Sequence, residues 1–263
     1  MSSLDIIKRN EQFKRDRAKI SFHRIKFVVE QDKKYYVGYL SDRKAELENL
    51  SQLEDCQEII TTNQGPEPLD HWTIAKPTGS HYIKNPKIED YLDPTLEVRM
   101  AREIEVWETI RQNPHAGLAA YYGCVLEGGR VSGLCFARYD QTLTERVNPG
   151  RLSKKSFVES DRSLVRDYMK QWLQTIEQGL QHLHASGFCH NDLTPANIML
   201  MDNRAVLIDM DSACRIGESL KDAKRTYGWT DANVQYATTG NDFRALQEIE
   251  TWLFGSLNKL LLN

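Results

Sequence analysis

Residues 190–213, HNDLTPANIMLMDNRAVLIDMDSA, constrain the chain more than any other stretch. A long amphipathic helix is predicted just before them, from about Ser160 to Ser186 and Gly187, with Val165, Tyr168 or Met169, Trp172, Ile176, Leu180 and Leu183 inward. Two short apolar runs, IMLM (198–201) and AVLI (205–208), then read as a strand, a turn and a second strand. The second run delivers Asp209 just after a loop rich in Asp and Asn. An α+β chain results, with strands dominating its first part and helices its second.

Within this stretch His190, Asp192 and Asn197 satisfy H-x-D-L-x-x-x-N, and Asp209 follows Asn197 by twelve positions. Phosphoryl transfer explains the grouping. One carboxylate orients and deprotonates an acceptor hydroxyl, while an amide oxygen and a second carboxylate hold Mg²⁺ on the ATP phosphates. Asp192 takes the first role; Asn197 and Asp209 take the second. A lone Asp in a turn is structural more often than catalytic, but the ordered set is far more specific. His190 reads as a core histidine in a supporting role.

The rest of the chain supplies context. With 34 Lys+Arg against 37 Asp+Glu, the net charge of −3 excludes the broad basic footprint of a nucleic-acid-binding domain. Five unclustered cysteines indicate neither a disulfide framework nor a zinc site, and suit a cytosolic or nuclear setting. No signal peptide and no apolar stretch of about 18 residues is present, so a membrane is not an expected partner. Residues 1–34 hold ten Lys/Arg against five Asp/Glu, read as a solvated face or mobile arm, with docking to an anionic protein partner as the sharper alternative. Residues 25–40 alternate as a hairpin around QDKK, and 42–57 reads as a charged helix. TTNQGPEPLD (61–70) marks a boundary.

Beyond that boundary, HWTIAK and HYIK flank PTGS as a second expected hairpin. Asp93 and Pro94 open a helix running to about Gln112, with the stripe Leu96, Met100, Glu103, Trp107, Ile110. Glu103 therefore lies among apolar neighbours and needs a partner. Glu105 and Glu108 fall off the stripe and read as surface charges. LAAYYGCVL and VSGLCFARY flank EGGR as a further strand pair.

These residues together resemble the eukaryotic protein kinase-like superfamily. YIKNPKI, GLCFARYDQTLTERVNPG, HNDLTPANIM, and IGESL followed by RTYGW are similar to a divergent group of fungal protein-kinase-domain proteins, over about residues 70 to 255. The resemblance implies a bilobal α+β fold: an N-terminal extension (1–66, helix and β-hairpin), a β-rich N-lobe and hinge (67–140) and a shortened helical C-lobe (141–263). It implies a strand lysine that pairs with Glu103 and steadies the ATP phosphates. Lys84, nineteen positions before Glu103, is preferred to Lys76, which precedes Pro77. It further implies that Arg138, Tyr139 and Asp140 form a hinge against adenine, that Met199 lies beneath the ring, and that Asp242 buttresses the catalytic loop.

The implied activity is Mg-dependent transfer of the ATP γ-phosphoryl to a hydroxyl, nominally of protein Ser/Thr. A small-molecule phosphotransferase of the aminoglycoside-kinase-like branch and a noncatalytic binding module are the alternatives. Several positions depart from the family pattern. No G-x-G occurs among the fifteen glycines. Asn191 and Thr194 stand where Arg and Lys are usual, Met210 and Asp211 replace the last two residues of D-F-G, and A-P-E is absent. Asp211 reads as an extra metal ligand or a turn cap. Only 21 residues follow Asp242, hence the expectation of a shortened C-lobe.

Overall fold

The computed structural model describes residues 4–16, 19–62 and 64–261; the first residues of the charged N-terminus, Arg17 and Asn63 of the boundary stretch lie outside the described residues. The chain divides into two compact units, one built from residues up to Gly65 with Asn85–Glu97, the other from Pro66–Lys84 and everything from Val98 onward. No helix among the described residues is long and apolar enough to cross a membrane.

The first unit is a four-stranded antiparallel sheet in the order β1 (Asp5–Asp16), β2 (Lys19–Gln31), β3 (Lys34–Leu40), β4 (Glu54–Ile59). The 25–40 hairpin forms in the register Ile25↔Leu40 to Gln31↔Lys34. Its turn residues Asp32 (φ 53°) and Lys33 (φ 61°) both adopt the left-handed conformation that a two-residue hairpin turn requires. Among the described residues of 1–34 the mobile-arm alternative is corrected: β1 is paired along β2, and its Lys8, Arg9 and Lys14 are exposed, the solvated face of the other reading.

The helix expected over 42–57 does not form. Ala45, Leu47, Leu50 and Leu53 pack as an irregular segment on the Ile25, Phe27, Val29 face, and β4 satisfies the open edge of β3. Tertiary burial overrides local helical preference here. Gly38 makes the close approach feasible, since a Cβ there would stand 2.7 Å from Leu53 Cβ. Residues 85–97, within the expected N-lobe, contribute Ile88, Tyr91 and Leu92 to the opposite face over Val28, Val37 and Ile59.

The second unit starts with a three-stranded sheet in the order β5 (His81–Lys84), β7 (Arg130–Ala137), β6 (Tyr121–Glu127). Helix α1 (Leu96–Gln112) follows β5 in the chain. The expected hairpin across PTGS is replaced by another arrangement. Residues 71–75 run beside β6 through Ile74↔Cys124, and they are held by the two glutamates read as surface charges. Glu108, only 5% exposed, accepts from Thr73 N (2.8 Å) and Oγ1 (3.0 Å), while Glu105 accepts from Trp72 Nε1 at 2.7 Å. A carboxylate can leave water when backbone and side-chain donors meet it.

Next come β8 (Gln141–Thr142), α2 (Leu143–Val147), α3 (Lys154–Glu159) and α4 (Met169–Ala185). The predicted long helix therefore starts nine residues late. Ser160 Oγ donates to the Phe157 carbonyl, and Arg162 takes φ 47° while its guanidinium donates to the Trp252 and Leu253 carbonyls. Those local bonds compete with helix continuation. On α4, Met169, Trp172, Ile176, Leu180 and Leu183 are buried as the period predicts. Strands β9 (Phe188–Cys189), β10 (Ile198–Met201), β11 (Arg204–Leu207) and β12 (Cys214–Arg215) precede α5 (Thr239–Phe254). Both apolar runs of the opening motif are thus strands, paired from Ile198↔Leu207 to Met201↔Arg204.

Candidate active site

Every residue nominated for the site lies in the second unit. Lys84 closes β5 opposite Leu134 of β7, and its Nζ reaches both oxygens of Glu103 on α1, at 2.7 and 2.8 Å. Glu103 is 5% exposed, and its Oε1 also accepts from Trp107 Nε1 and Met210 N, each at 3.2 Å. The same ammonium donates to Asp209 Oδ1 at 2.8 Å. Lys84, not Lys76, is the partner that the buried Glu103 required. Burial works to lower the Lys84 pKa, but the charges of Glu103 and Asp209 outweigh it and hold it above the usual lysine range. Burial works to raise Asp209, and Lys84 reverses that sign, holding it below the usual carboxylate range.

The loop after β9 is fixed from beneath. Asp242, 1% exposed in the first turn of α5, accepts from His190 N and Asn191 N, both at 2.8 Å, and bonds His184 Nε2 at 2.8 Å. A helix N-terminus is a favourable place for that charge. His190 has a defined tautomer. Its Nδ1 accepts from Asp192 N at 3.2 Å, which leaves Nε2 as the donor to the Ile208 carbonyl at 3.0 Å. Both ring nitrogens are thereby engaged in holding the loop. Asn191 and Asp209 adopt left-handed φ values of 62° and 66°, so the backbone bends sharply at the carboxylates of Asp192 and Asp209.

Asp192 meets a residue that sequence reasoning missed. Thr226 donates to it twice, through N to Oδ1 at 2.7 Å and through Oγ1 to Oδ2 at 3.1 Å. Burial, opposed by these two bonds and aided by the negative charge of Asp209, raises the Asp192 pKa. Asn197 Nδ2 donates to the Asp192 carbonyl at 2.9 Å, which engages its donor end and leaves the amide oxygen as the atom that could hold a metal ion. The sequence signal for Thr226 was RTYGW, legible as a resemblance but not as a contact.

The residues expected to form a hinge follow β7. Asp140 N donates to the Leu200 carbonyl at 3.0 Å, so this N–H is already engaged; Ala120 N donates to Tyr139 Oη at 3.0 Å, and Arg138 Nη2 donates to the His81 carbonyl at 2.9 Å. Met199 lies on β10, paired with Thr142 of β8. The structure thus joins Lys84, Glu103 and Asp209 directly, joins Asp192 to Asn197, and places the hinge residues and Met199 on the neighbouring β7–β8 connection and β10.

Asp211, read as an extra metal ligand or a turn cap, is paired with a cation. Arg99, one helical turn before Glu103, donates to Asp211 Oδ1 at 3.0 Å and to Oδ2 at 2.8 Å. This forked pair ties α1 to the loop that carries Asp209. Arg99→Met should lower stability by about 1.5–3 kcal/mol, the range for hydrogen bonds to charged groups. Denaturant titration of Arg99→Met beside the exchanged pair Arg99→Asp/Asp211→Arg checks it; no recovery in the exchanged pair would show that packing, rather than pairing, sets the effect.

Comparison with known proteins places the chain in a family. A sequence model described as the protein kinase domain matches residues 80–239. A probable serine/threonine-protein kinase of fowlpox virus is 29% identical over 141 residues, 51% of this chain and 44% of that protein. A 2-5A-dependent ribonuclease of Mus musculus is 34% identical over 107 residues, 40% of this chain and 14% of that protein. A tyrosine-protein kinase of Gallus gallus is 22% identical over 186 residues, 70% of this chain and 27% of that protein. The chain spans less than half the length of these curated relatives. With more than half of its residues matched, and with its strands first and its helices later, the chain belongs to the protein kinase domain family.

Proposed function

We propose that this chain is an ATP-dependent phosphotransferase that moves the γ-phosphoryl group of ATP to a hydroxyl of a protein Ser or Thr. The supporting observation is the contact of Lys84 with both Glu103 and Asp209, drawn from positions 19 and 125 residues away. Ion pairs of this burial are costly to assemble without a use for the charge. In this reading 67–140 and 141–263 form the two functional parts, and 1–66 precedes them as an extension with no assigned activity. The name of the fowlpox relative supports a Ser/Thr acceptor.

Asp192 accepts the proton of the acceptor hydroxyl. The acceptor oxygen forms a bond to the γ-phosphorus as the bond from that phosphorus to the β,γ-bridging oxygen breaks, leaving ADP. Lys84 supplies positive charge toward the α- and β-phosphates while Glu103 fixes its direction. Arg138, Tyr139 and Asp140 face adenine, with Met199 beneath it. The donor set fits Mg²⁺: the Asn197 amide oxygen and the Asp209 carboxylate are hard oxygen ligands, and Asp209 Oδ2 is not the atom that Lys84 takes. Mg²⁺, when bound, neutralises phosphate charge.

Nucleotide titration with and without Mg²⁺, followed by ADP release and label transfer to a protein library and a small-molecule panel, tests the reading. Label on proteins is expected. Label confined to small molecules would place the chain with the small-molecule phosphotransferases. Binding without ADP release would make it a noncatalytic module, a reading favoured by the lack of G-x-G. Asp209→Asn should remove the Mg-dependent part of nucleotide stabilisation. At 100-fold excess over Kd that part reaches about 2.7 kcal/mol, or roughly 5–10 °C in Tm. An unchanged Mg·ATP thermal shift in the variant would refute the metal assignment.

A further inference from the structure

The segment that carries Thr226 has an unusual support. Lys154 is the first residue of α3, a position where a positive charge opposes the helix dipole. Its side chain is nevertheless only 14% exposed, and the ammonium pairs with Glu248 of α5, whose side chain is fully buried. Burying both charges contributes little net stability by itself, so the pair is best read by what else it holds. The ammonium donates to the Gly228 carbonyl and lies 4.8 Å from the centre of the Trp229 ring. Trp229 in turn packs edge-on against Trp252 of α5 at 5.5 Å, and Trp229 N donates to the Thr226 carbonyl at 3.2 Å. Glu248 uses its second oxygen to accept from Leu261 N at 2.7 Å.

These contacts form one connected path from α5 through Lys154 to Gly228 and Trp229, then to Thr226 and Asp192. We infer that Lys154 is a positioning residue for the transfer reaction: by clamping the Gly228–Trp229 turn against α5, it keeps Thr226 bonded to Asp192. The inference rests on the phosphotransferase reading for its use, but the clamp can be read without turnover. Tyr227, 84% exposed between the two held neighbours, adds no buried anchor to the turn; Thr230 Oγ1, which donates to the Thr226 carbonyl, and Arg225, which donates to the Asp231 carbonyl, brace it locally, and Lys154 ties it to α5.

Amide hydrogen exchange of the full chain tests the clamp. Lys154→Met/Glu248→Met removes both buried charges together, so neither is left unpaired. The Thr226 amide should then exchange faster by on the order of tenfold, the equivalent of one charge-assisted hydrogen bond. The His190 and Asn191 amides, held by Asp242, should keep their wild-type rates, and Lys154→Arg should return Thr226 toward wild type. Nucleotide Kd should stay unchanged while kcat falls by about tenfold. If the double variant does not fold, Lys154→Gln is read by the same three amides. Wild-type exchange at Thr226 in the variant, or loss of protection at all three amides together, would overturn the inference. A selective change at Thr226 in a protein that transfers no phosphate would instead refute the phosphotransferase reading and leave the clamp standing.

Discussion

Lys84→Met should lower phosphoryl transfer by at least ~10²–10³-fold, the scale seen when a charged or hydrogen-bonding group is removed from a developing anion. It should also lower stability by about 3–5 kcal/mol, because Glu103 would remain buried with only Trp107 Nε1 and Met210 N as donors. The two losses can be separated. Lys84→Met/Glu103→Leu replaces the buried pair with apolar side chains, and denaturant titration should show most of the stability restored. Single-turnover transfer should remain lost, since the charge itself is missing. Restoration of transfer along with stability would mean that Lys84 serves the fold alone.

That same contact was legible in part from the chain itself. A carboxylate on the apolar stripe of α1 demanded a cation, and a strand lysine nineteen positions earlier was available. Burial physics fixed the need, and the kinase resemblance, which implies a strand lysine for that glutamate, proposed the partner. The opening motif was legible for a related reason, because strands β10 and β11 have apolar runs of strand length and their flanking acids are ordered in the chain. Glu108 was not legible. Its donors, Thr73 N and Oγ1, are 35 residues away and become visible only once residues 71–75 run beside β6.

The segment 42–57 misled for the opposite reason. Its charges and leucines fit a helix, yet the open edge of β3 and the bare face around Phe27 offered more burial to an irregular segment and a strand. Arg99 with Asp211, and Lys154 with Glu248, escaped notice because ion pairs between distant positions leave no period in a sequence. The interactions of named residues in the sequence were therefore recoverable where one partner was forced by burial. Where both partners were free to be surface charges, only the fold decides.

Asp242→Ala should be the most damaging single change to the loop that carries Asp192. The carboxylate is 1% exposed and holds two backbone amides of that loop, His190 N and Asn191 N, together with His184 Nε2. Its removal leaves buried donors with no acceptor, a loss of about 3–5 kcal/mol, or roughly 6–20 °C in Tm. Asp242→Asn keeps one acceptor oxygen but brings two N–H donors against groups that already donate, so it should recover less than half of that loss. The readout that separates a local from a global effect is amide exchange at His190 and Asn191 beside thermal unfolding. If Asp242→Ala unfolds at the wild-type temperature with both amides still protected, the carboxylate is not the brace beneath Asp192, and the loop must owe its shape to His190 and its bond to the Ile208 carbonyl.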